Sequence, residues 1–342
     1  MREALYWEPG GSGRVHCLLC PNDCRIAERT TGTCGVRGNR AGRLELPRWG
    51  AISSIAVDPI EKKPLYHFSP GSRILSVGFV GCSFRCGFCQ NWHISQSTDV
   101  ETRFISPEAL VDIAVTEKSF AIAYTYSEPL VHFEYVLDSA KLARTAGLKN
   151  VLVTNGYLNP APAAELLPFV DAANVDLKAW DADFYRHETG GRLEEVKRFI
   201  AEAAGKIHLE VTTLIIPTKN DDPAQIDGIA GFIAGLDPGI PLHLSASSVS
   251  DGVRNPARGG TLAELGSQSS SQSSSSSSSS HPSSARVPSP CRTASGSRSK
   301  TRPPPSASSG LLTPDAPSPS SCVSIIVVFI AWPINSRTVP MS

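Results

Sequence analysis

The chain has 342 residues, enough for two domains or for one large α/β domain with appendages. Basic and acidic side chains balance at 32 each, but residues 1–246 carry 24 against 29 and the remainder is basic. A mildly acidic body excludes a nucleic-acid-binding surface, and the apolar run Val323–Trp332 is half of the ~20 residues that span a bilayer.

Seven of the nine cysteines fall in two tight groups before residue 90. With no secretory signal pattern, such grouping predicts metal ligation in a reducing compartment, so a soluble cytoplasmic protein is expected. In the first group Cys17, Cys20, Cys24 and Cys34 stand at C-x2-C-x3-C-x9-C. Four thiolates with Gly and Pro between them make a closed site for zinc or for an iron–sulfur cluster. A short segment buries little apolar surface, so a structural metal would supply its folding free energy. The other reading is a second cluster that relays electrons. Residues 1–68 are taken as this module and a connector. In the connector, Asp58–Phe68 has two prolines that exclude a regular helix, and it is expected to pack the module against the next domain. Lys62, Lys63 and His67 read there as a solvated linker.

The apolar run Ile74–Val80 reads as a buried strand. Cys82, Cys86 and Cys89 follow at C-x3-C-x2-C spacing, on the loop leaving its C-terminal end. Three thiolates on one loop can hold three irons of a cubane cluster, which leaves the fourth iron open for chemistry. A zinc site with His93 as the nearest fourth ligand is the alternative, although zinc ligands usually come as two separated pairs. A structural cluster would want a fourth cysteine nearby, and none follows before Cys291.

From Ile74 to Ser245 short apolar runs alternate with amphipathic ones. Predicted strands are Ile74–Val80, Phe120–Tyr124, Val151–Thr154, Ala173–Leu177, Ile207–Leu214 and Pro241–Ser245. Predicted helices are Pro107–Glu117 with Ser106 as N-cap, Val131–Thr145 ending at Gly147, Pro160–Leu167 with Asn159 as N-cap, Leu193–Ala204 and Pro223–Gly235. Six strand–helix units predict a parallel α/β sheet in residues 69–246, as an open partial barrel. The site of such sheets lies at the C-terminal strand ends. The strand ends here carry Tyr124–Pro129, Thr154-Asn155-Gly156-Tyr157 and Asn174–Lys178, and the fifth strand carries Glu210, Thr212 and Thr213. Asp176 and Lys178, two apart, point to one face. They read as site residues or as an ion pair closing the barrel top.

These motifs identify a resemblance. The cysteine loop, with the aromatic Phe88 before the third cysteine, resembles that of radical S-adenosylmethionine enzymes. From about Cys17 to Ser245 the chain resembles the pyruvate formate-lyase activating enzyme type. It looks most like the AmmeMemoRadiSam system radical enzymes, on the four-cysteine N-terminus with Cys34-Gly35-Val36-Arg37, Pro59–Phe68, Phe84–Trp92, Tyr124–Pro129, Thr154-Asn155-Gly156 and Asp176-Leu177-Lys178. The resemblance implies a partial (βα)6 barrel in which Cys82, Cys86 and Cys89 hold a 4Fe–4S cluster whose open iron is chelated by S-adenosylmethionine. It further implies that Tyr126, Ser127 and Glu128 stand where the superfamily has a Gly-Gly-Glu-Pro turn for the methionine amine. The two glycines are absent here. Thr154, Asn155, Asp176 and Lys178 match positions lining the cofactor or substrate cavity. The activity implied is reductive cleavage of S-adenosylmethionine to a 5′-deoxyadenosyl radical. The substrate is unassigned, either a small molecule, a side chain or the glycine of a partner protein, and the electrons come from a flavodoxin or ferredoxin type donor. A different class of reading is a non-catalytic metal-binding remnant.

After Ser245 the composition shifts. Ser267–Ser280 is serine broken only by Gln268 and Gln272, and Pro/Ser/Arg mixtures continue to Ser321. Residues 247–342 are expected to be a low-complexity disordered tail, divergent or produced by a reading-frame change. Pro241–Ser245 should then be a sheet edge, and Val323–Trp332 a β-prone patch with no evident partner.

Overall fold

The computed structural model describes residues 2–97, 99–246 and the backbone of Ile325–Val328. Its largest element is an eight-stranded sheet: β1 (Ser54–Pro59), β2 (Arg73–Gly78), β3 (Ala121–Thr125), β4 (Lys149–Thr154), β5 (Ala172–Asp176), β6 (His208–Ile215), β7 (Leu242–Ala246) and β8 (Ile325–Val328). The strands lie side by side in chain order. β1 runs antiparallel to β2, and all other neighbours are parallel. Parallel neighbours need long crossovers, and helices supply them: α1 (Pro107–Thr116), α2 (Phe133–Thr145), α3 (Pro160–Leu166), α4 (Leu193–Ala203) and α5 (Pro223–Leu236).

The period of two in the strands sorts their side chains onto two faces. Leu75, Val77, Ile122, Tyr124, Leu152 and Val175 join the core that the helices cover. Ile74, Ala121, Ala123, Val151 and Ala172 face the other way and pack against Ile60 and Leu65 of the connector. Alanine on that face leaves room for the connector to lie close. None of the helices among the described residues is long and apolar enough to cross a membrane.

Two helix ends follow the expected local chemistry and one does not. Ser106 caps α1 by accepting from the Ala109 amide at 3.2 Å. The chain leaves α2 through Gly147 at φ +80°, a conformation that favours glycine. Asn159 does not cap α3, contrary to expectation. Its side-chain amide donates instead to the Leu18 carbonyl at 2.8 Å, a tertiary bond that outcompetes the cap.

Two boundaries also differ from expectation. Residues 1–68, read as the cysteine module and its connector, contribute β1, a full member of the main sheet. Ile55 and Val57 alternate correctly, but Ser54, Asp58 and Pro59 break the apolar run that would have marked them. β7 is not the sheet edge, because Ile325–Val328 pairs with it in parallel, Leu242 opposite Ile325. The apolar run near the C-terminus thus has a backbone partner. The remaining expectations for residues 247–342 lie outside the described residues.

Residues 2–52 form two small antiparallel sheets, Arg2–Glu3/Arg43–Leu46/Gly38–Arg40 and Trp7–Pro9/Val15–Cys17/Arg25–Ile26. They make no core of their own: Val15, Leu19, Ile26 and Leu44 belong to the same cluster as α2 and the sheet. Arg37 and Glu134 of α2 form a bidentate ion pair at 2.8 and 2.9 Å, both side chains buried, which ties the segment to the helix.

Candidate active site at the cysteine loop

The loop after β2 is held from both sides. Gly81 has φ +88°, and a Cβ there would lie 2.4 Å from the Cys34 carbonyl oxygen and 2.5 Å from Val36 Cγ2. Only glycine lets the two cysteine segments approach so closely. Asn22 donates to the Ser83 carbonyl at 2.7 Å, and Arg85 donates to the Thr33 carbonyl. The N-terminal segment therefore braces the loop at its root.

The three thiols sit in protected surroundings. Cys82 Sγ accepts from the Phe84 amide at 3.3 Å, and Cys89 Sγ lies 3.2 Å from Ser95 Oγ. Burial pushes the Cys82 thiol well above its ordinary value, with Glu128 and Cys86 adding to the shift. Cys86 is pushed up to about 12 by burial, partly offset by the Lys178 ammonium. Such thiols stay protonated unless a metal displaces the protons. Three soft sulfur donors whose charges interact fit iron. His93, the nearest fourth ligand of the zinc alternative, is exposed and packs edge-on to Trp92.

The ends of β3 and β4 meet Cys82. Glu128 Oε1 accepts from Thr154 Oγ1 at 2.7 Å and from the Leu130 amide at 3.0 Å, and Oε2 accepts from the Asn155 amide at 2.8 Å. Asn155 Nδ2 donates to Ser83 Oγ at 3.0 Å and lies 3.6 Å from Cys82 Sγ. Burial raises the Glu128 carboxyl to about 7, against the pull of its three donors. Ser127 Oγ is buried with no hydrogen-bond partner in the protein, an orphan that a bound ligand would satisfy. Lys178 and Asp176 pair at 2.9 Å at the end of β5, close enough to Cys86 for both charges to act on its thiol. Phe88 packs on Phe184 with ring centroids 5.7 Å apart. The structure thus brings together Cys82, Cys86, Cys89, Phe88, Tyr126, Ser127, Glu128, Thr154, Asn155, Asp176 and Lys178. Ser83 and Asn22 were not foreseen, because a serine and an asparagine beside cysteines carry no pattern of their own.

Tyr126 stands in the turn with φ +70°. A non-glycine residue pays strain there, and an unforeseen network holds it. Its hydroxyl donates to Asp58 Oδ2 at 2.7 Å, and Lys63 Nζ lies 3.0 Å from the same oxygen and 4.3 Å from the Tyr126 ring centroid. Lys63 is 1% exposed, so it is not the solvated linker residue that the sequence suggested. The absence of the two glycines was the available signal that something must brace this turn. Burial would raise the Asp58 carboxyl, but the Lys63 ammonium and the Tyr126 hydroxyl outweigh it and hold it below its ordinary 3.8. A depressed carboxyl contributes stability above its unfolded value and loses it as pH falls through the folded value. Asp58→Asn leaves a buried ammonium unpaired and is expected to cost about 3–5 kcal/mol at neutral pH. The difference from the parent should shrink below about pH 4, where Asp58 itself protonates in the unfolded chain. Urea unfolding across pH checks both points.

The other four cysteines lie near enough for their charges to interact. Cys17 and Cys34 are buried, and Cys20 and Cys24 partly so. Burial raises the Cys20 thiol, and Cys34, Cys17 and Cys24 add to the shift in that order.

The fold and the loop together define a class, and the comparisons agree: the radical SAM superfamily model matches residues 76–227, and the chain belongs to that superfamily. Members use a 4Fe–4S cluster and S-adenosylmethionine. An uncharacterised protein of Methanocaldococcus jannaschii is 41% identical over 250 residues, covering 72% of this chain and 74% of the relative. Pyruvate formate-lyase-activating enzyme of Clostridium pasteurianum is 26% identical over 173 residues, with 49% and 71% covered. 7-Carboxy-7-deazaguanine synthase of Thermococcus kodakarensis is 24% identical over 214 residues, with 55% and 83% covered.

Proposed function

We propose that this chain cleaves S-adenosylmethionine reductively at a 4Fe–4S cluster held by Cys82, Cys86 and Cys89, and uses the product to abstract hydrogen from a substrate. The carrying observation is that Glu128 accepts from both Thr154 and Asn155, and that Asn155 Nδ2 in turn bonds Ser83 Oγ and lies 3.6 Å from Cys82 Sγ. It joins the cysteine loop to the strand ends where a cofactor would lie. A cluster held there and reduced by an external donor would supply one electron to the sulfonium of S-adenosylmethionine, giving methionine and a 5′-deoxyadenosyl radical. The protein's part is to bind, orient and exclude water. Asn155 and Ser83 fix the Cys82 side chain. Glu128 offers a buried carboxylate to the cofactor's ammonium, and Ser127 Oγ an unused donor to its carboxylate. Lys178, ion-paired with Asp176, places its ammonium beside Cys86. Helices on one sheet face and a connector on the other support the partial-barrel reading of residues 69–246.

The N-terminal cysteines are read as a structural metal site, zinc or a second cluster, because residues 2–52 lack a separate core. Cys17→Ser is expected to release that metal and to melt this segment while β2–β7 remain folded. Hydrogen exchange resolves the two regions. A variant that keeps its protection and loses only electron transfer would favour the relay reading.

The likeness to a pyruvate formate-lyase-activating enzyme favours a second version, in which the substrate is a glycine of a partner protein. A cytoplasmic setting with a flavodoxin or ferredoxin as electron donor suits either version. The test is anaerobic reconstitution of the full chain with iron and sulfide, reduction, and assay of 5′-deoxyadenosine. Failure to form it with the cluster in place would leave the metal-binding remnant as the better reading.

A further inference from the structure

Away from the cysteine loop, three histidines converge on one buried carboxylate. Glu210, on β6, is 0% exposed in its side chain. Its Oε2 lies 2.5 Å from His243 Nε2, on β7, and 3.4 Å from His67 Nδ1. Its Oε1 lies 2.9 Å from His208 Nε2. The amides of Tyr66 and His67 donate to the same carboxylate at 3.1 and 2.9 Å. A carboxylate offers about four lone-pair sites. Five nitrogen groups surround this one, so at least one imidazole is not needed as a donor and can present its lone pair to a cation. Nδ1 of His243 is buried with no partner, so no second hydrogen bond commits that ring to the donor role.

We propose that His67, Glu210 and His243 bind a divalent first-row transition cation, separate from both cysteine groups. Their three ligand atoms lie within 4.8 Å of one another. Two imidazoles and a carboxylate are the donor set that iron(II), zinc(II) and cobalt(II) accept, and three protein ligands leave coordination positions open. His243 is 2% and His67 is 42% exposed in the side chain, so the site has a buried floor and an entry from solvent. The scaffold is fixed before binding: Asn174 donates to the Pro64 carbonyl at 3.0 Å, and the two amide bonds to Glu210 hold residues 66 and 67 in place. His208 would orient the bound carboxylate through its other oxygen.

This inference does not depend on the radical reaction. The experiment uses the full chain, first loaded anaerobically with iron and sulfide so that the cysteines are occupied, then titrated with cobalt(II) alone. One cobalt per chain should remain after gel filtration, with ligand-field bands of a nitrogen–oxygen site and no sulfur charge-transfer band. His67→Ala removes a half-exposed ring and should keep the fold, verified by circular dichroism, yet lose that cobalt. His243→Ala should lose it as well, and His208→Ala should weaken it by about 10–100-fold. His93→Ala, an exposed histidine elsewhere, should retain it. Absence of cobalt from the parent chain, or retention by His67→Ala at parental affinity, overturns the proposal.

Discussion

Cys86→Ala is expected to abolish 5′-deoxyadenosine formation and to remove about four irons per chain, while the metal proposed at Cys17–Cys34 stays. Cys86 is buried, within charge reach of Cys89 and of the Lys178–Asp176 pair, and an alanine there offers no donor. Three thiolates are the minimum set that leaves one iron open, and two do not retain a cubane. The loss should therefore be of the whole cluster. Iron and sulfide analysis, together with chromatography of the reaction products, reads the result. Undiminished cleavage would sink the assignment of these ligands.

Arg37→Met should produce a large loss of stability. The guanidinium spans Glu134 with two bonds and also donates to the Leu5 carbonyl. Without it, Glu134, 1% exposed, keeps only the Leu5 amide at 2.6 Å. Breaking one partner of a buried pair costs about 3–5 kcal/mol, whereas replacing both by apolar groups is often neutral. The double variant Arg37→Met/Glu134→Leu should thus recover most of the loss, read as the midpoint of urea unfolding. Arg37 also lies near the Cys17 and Cys34 thiols, and their charges favour its cationic form. Its removal should accordingly weaken metal binding there as well. A single variant as stable as the parent would show that the pair does not join the N-terminal sheets to α2.

Much of this was legible because two periodicities survive in the chain. Apolar runs such as Ile74–Val80 and Val151–Thr154 mark strands buried on both faces, and Pro107 and Pro223 after Ser106 and Asp222 mark helix starts. The cysteine spacing and the acidic and amide residues at strand ends pointed to one place, and they meet there. What was hidden depends on partners distant in sequence. β1 has a weak pattern and is defined by its neighbour. Asn159 chooses a carbonyl 141 residues away over its own helix. Lys63 looks like a solvated charge until Asp58 and Tyr126 are seen around it. His243 follows a proline and a leucine in an ordinary strand, and only the fold sets it against Glu210.

The order of the sheet bears on how the molecule is made. Because β1 to β7 lie side by side in the order in which they are translated, each strand–helix unit can dock on the one before it as it leaves the ribosome. No early strand has to wait for a late one, which keeps most pairings local and growth directional. β8 is the exception, since it joins β7 across a long intervening stretch. The edge of β7 therefore stays open until residues 325–328 have emerged. That interval is when a nascent chain offers another copy an unpaired row of backbone groups, and a chaperone or a fast-closing C-terminus has the most to protect.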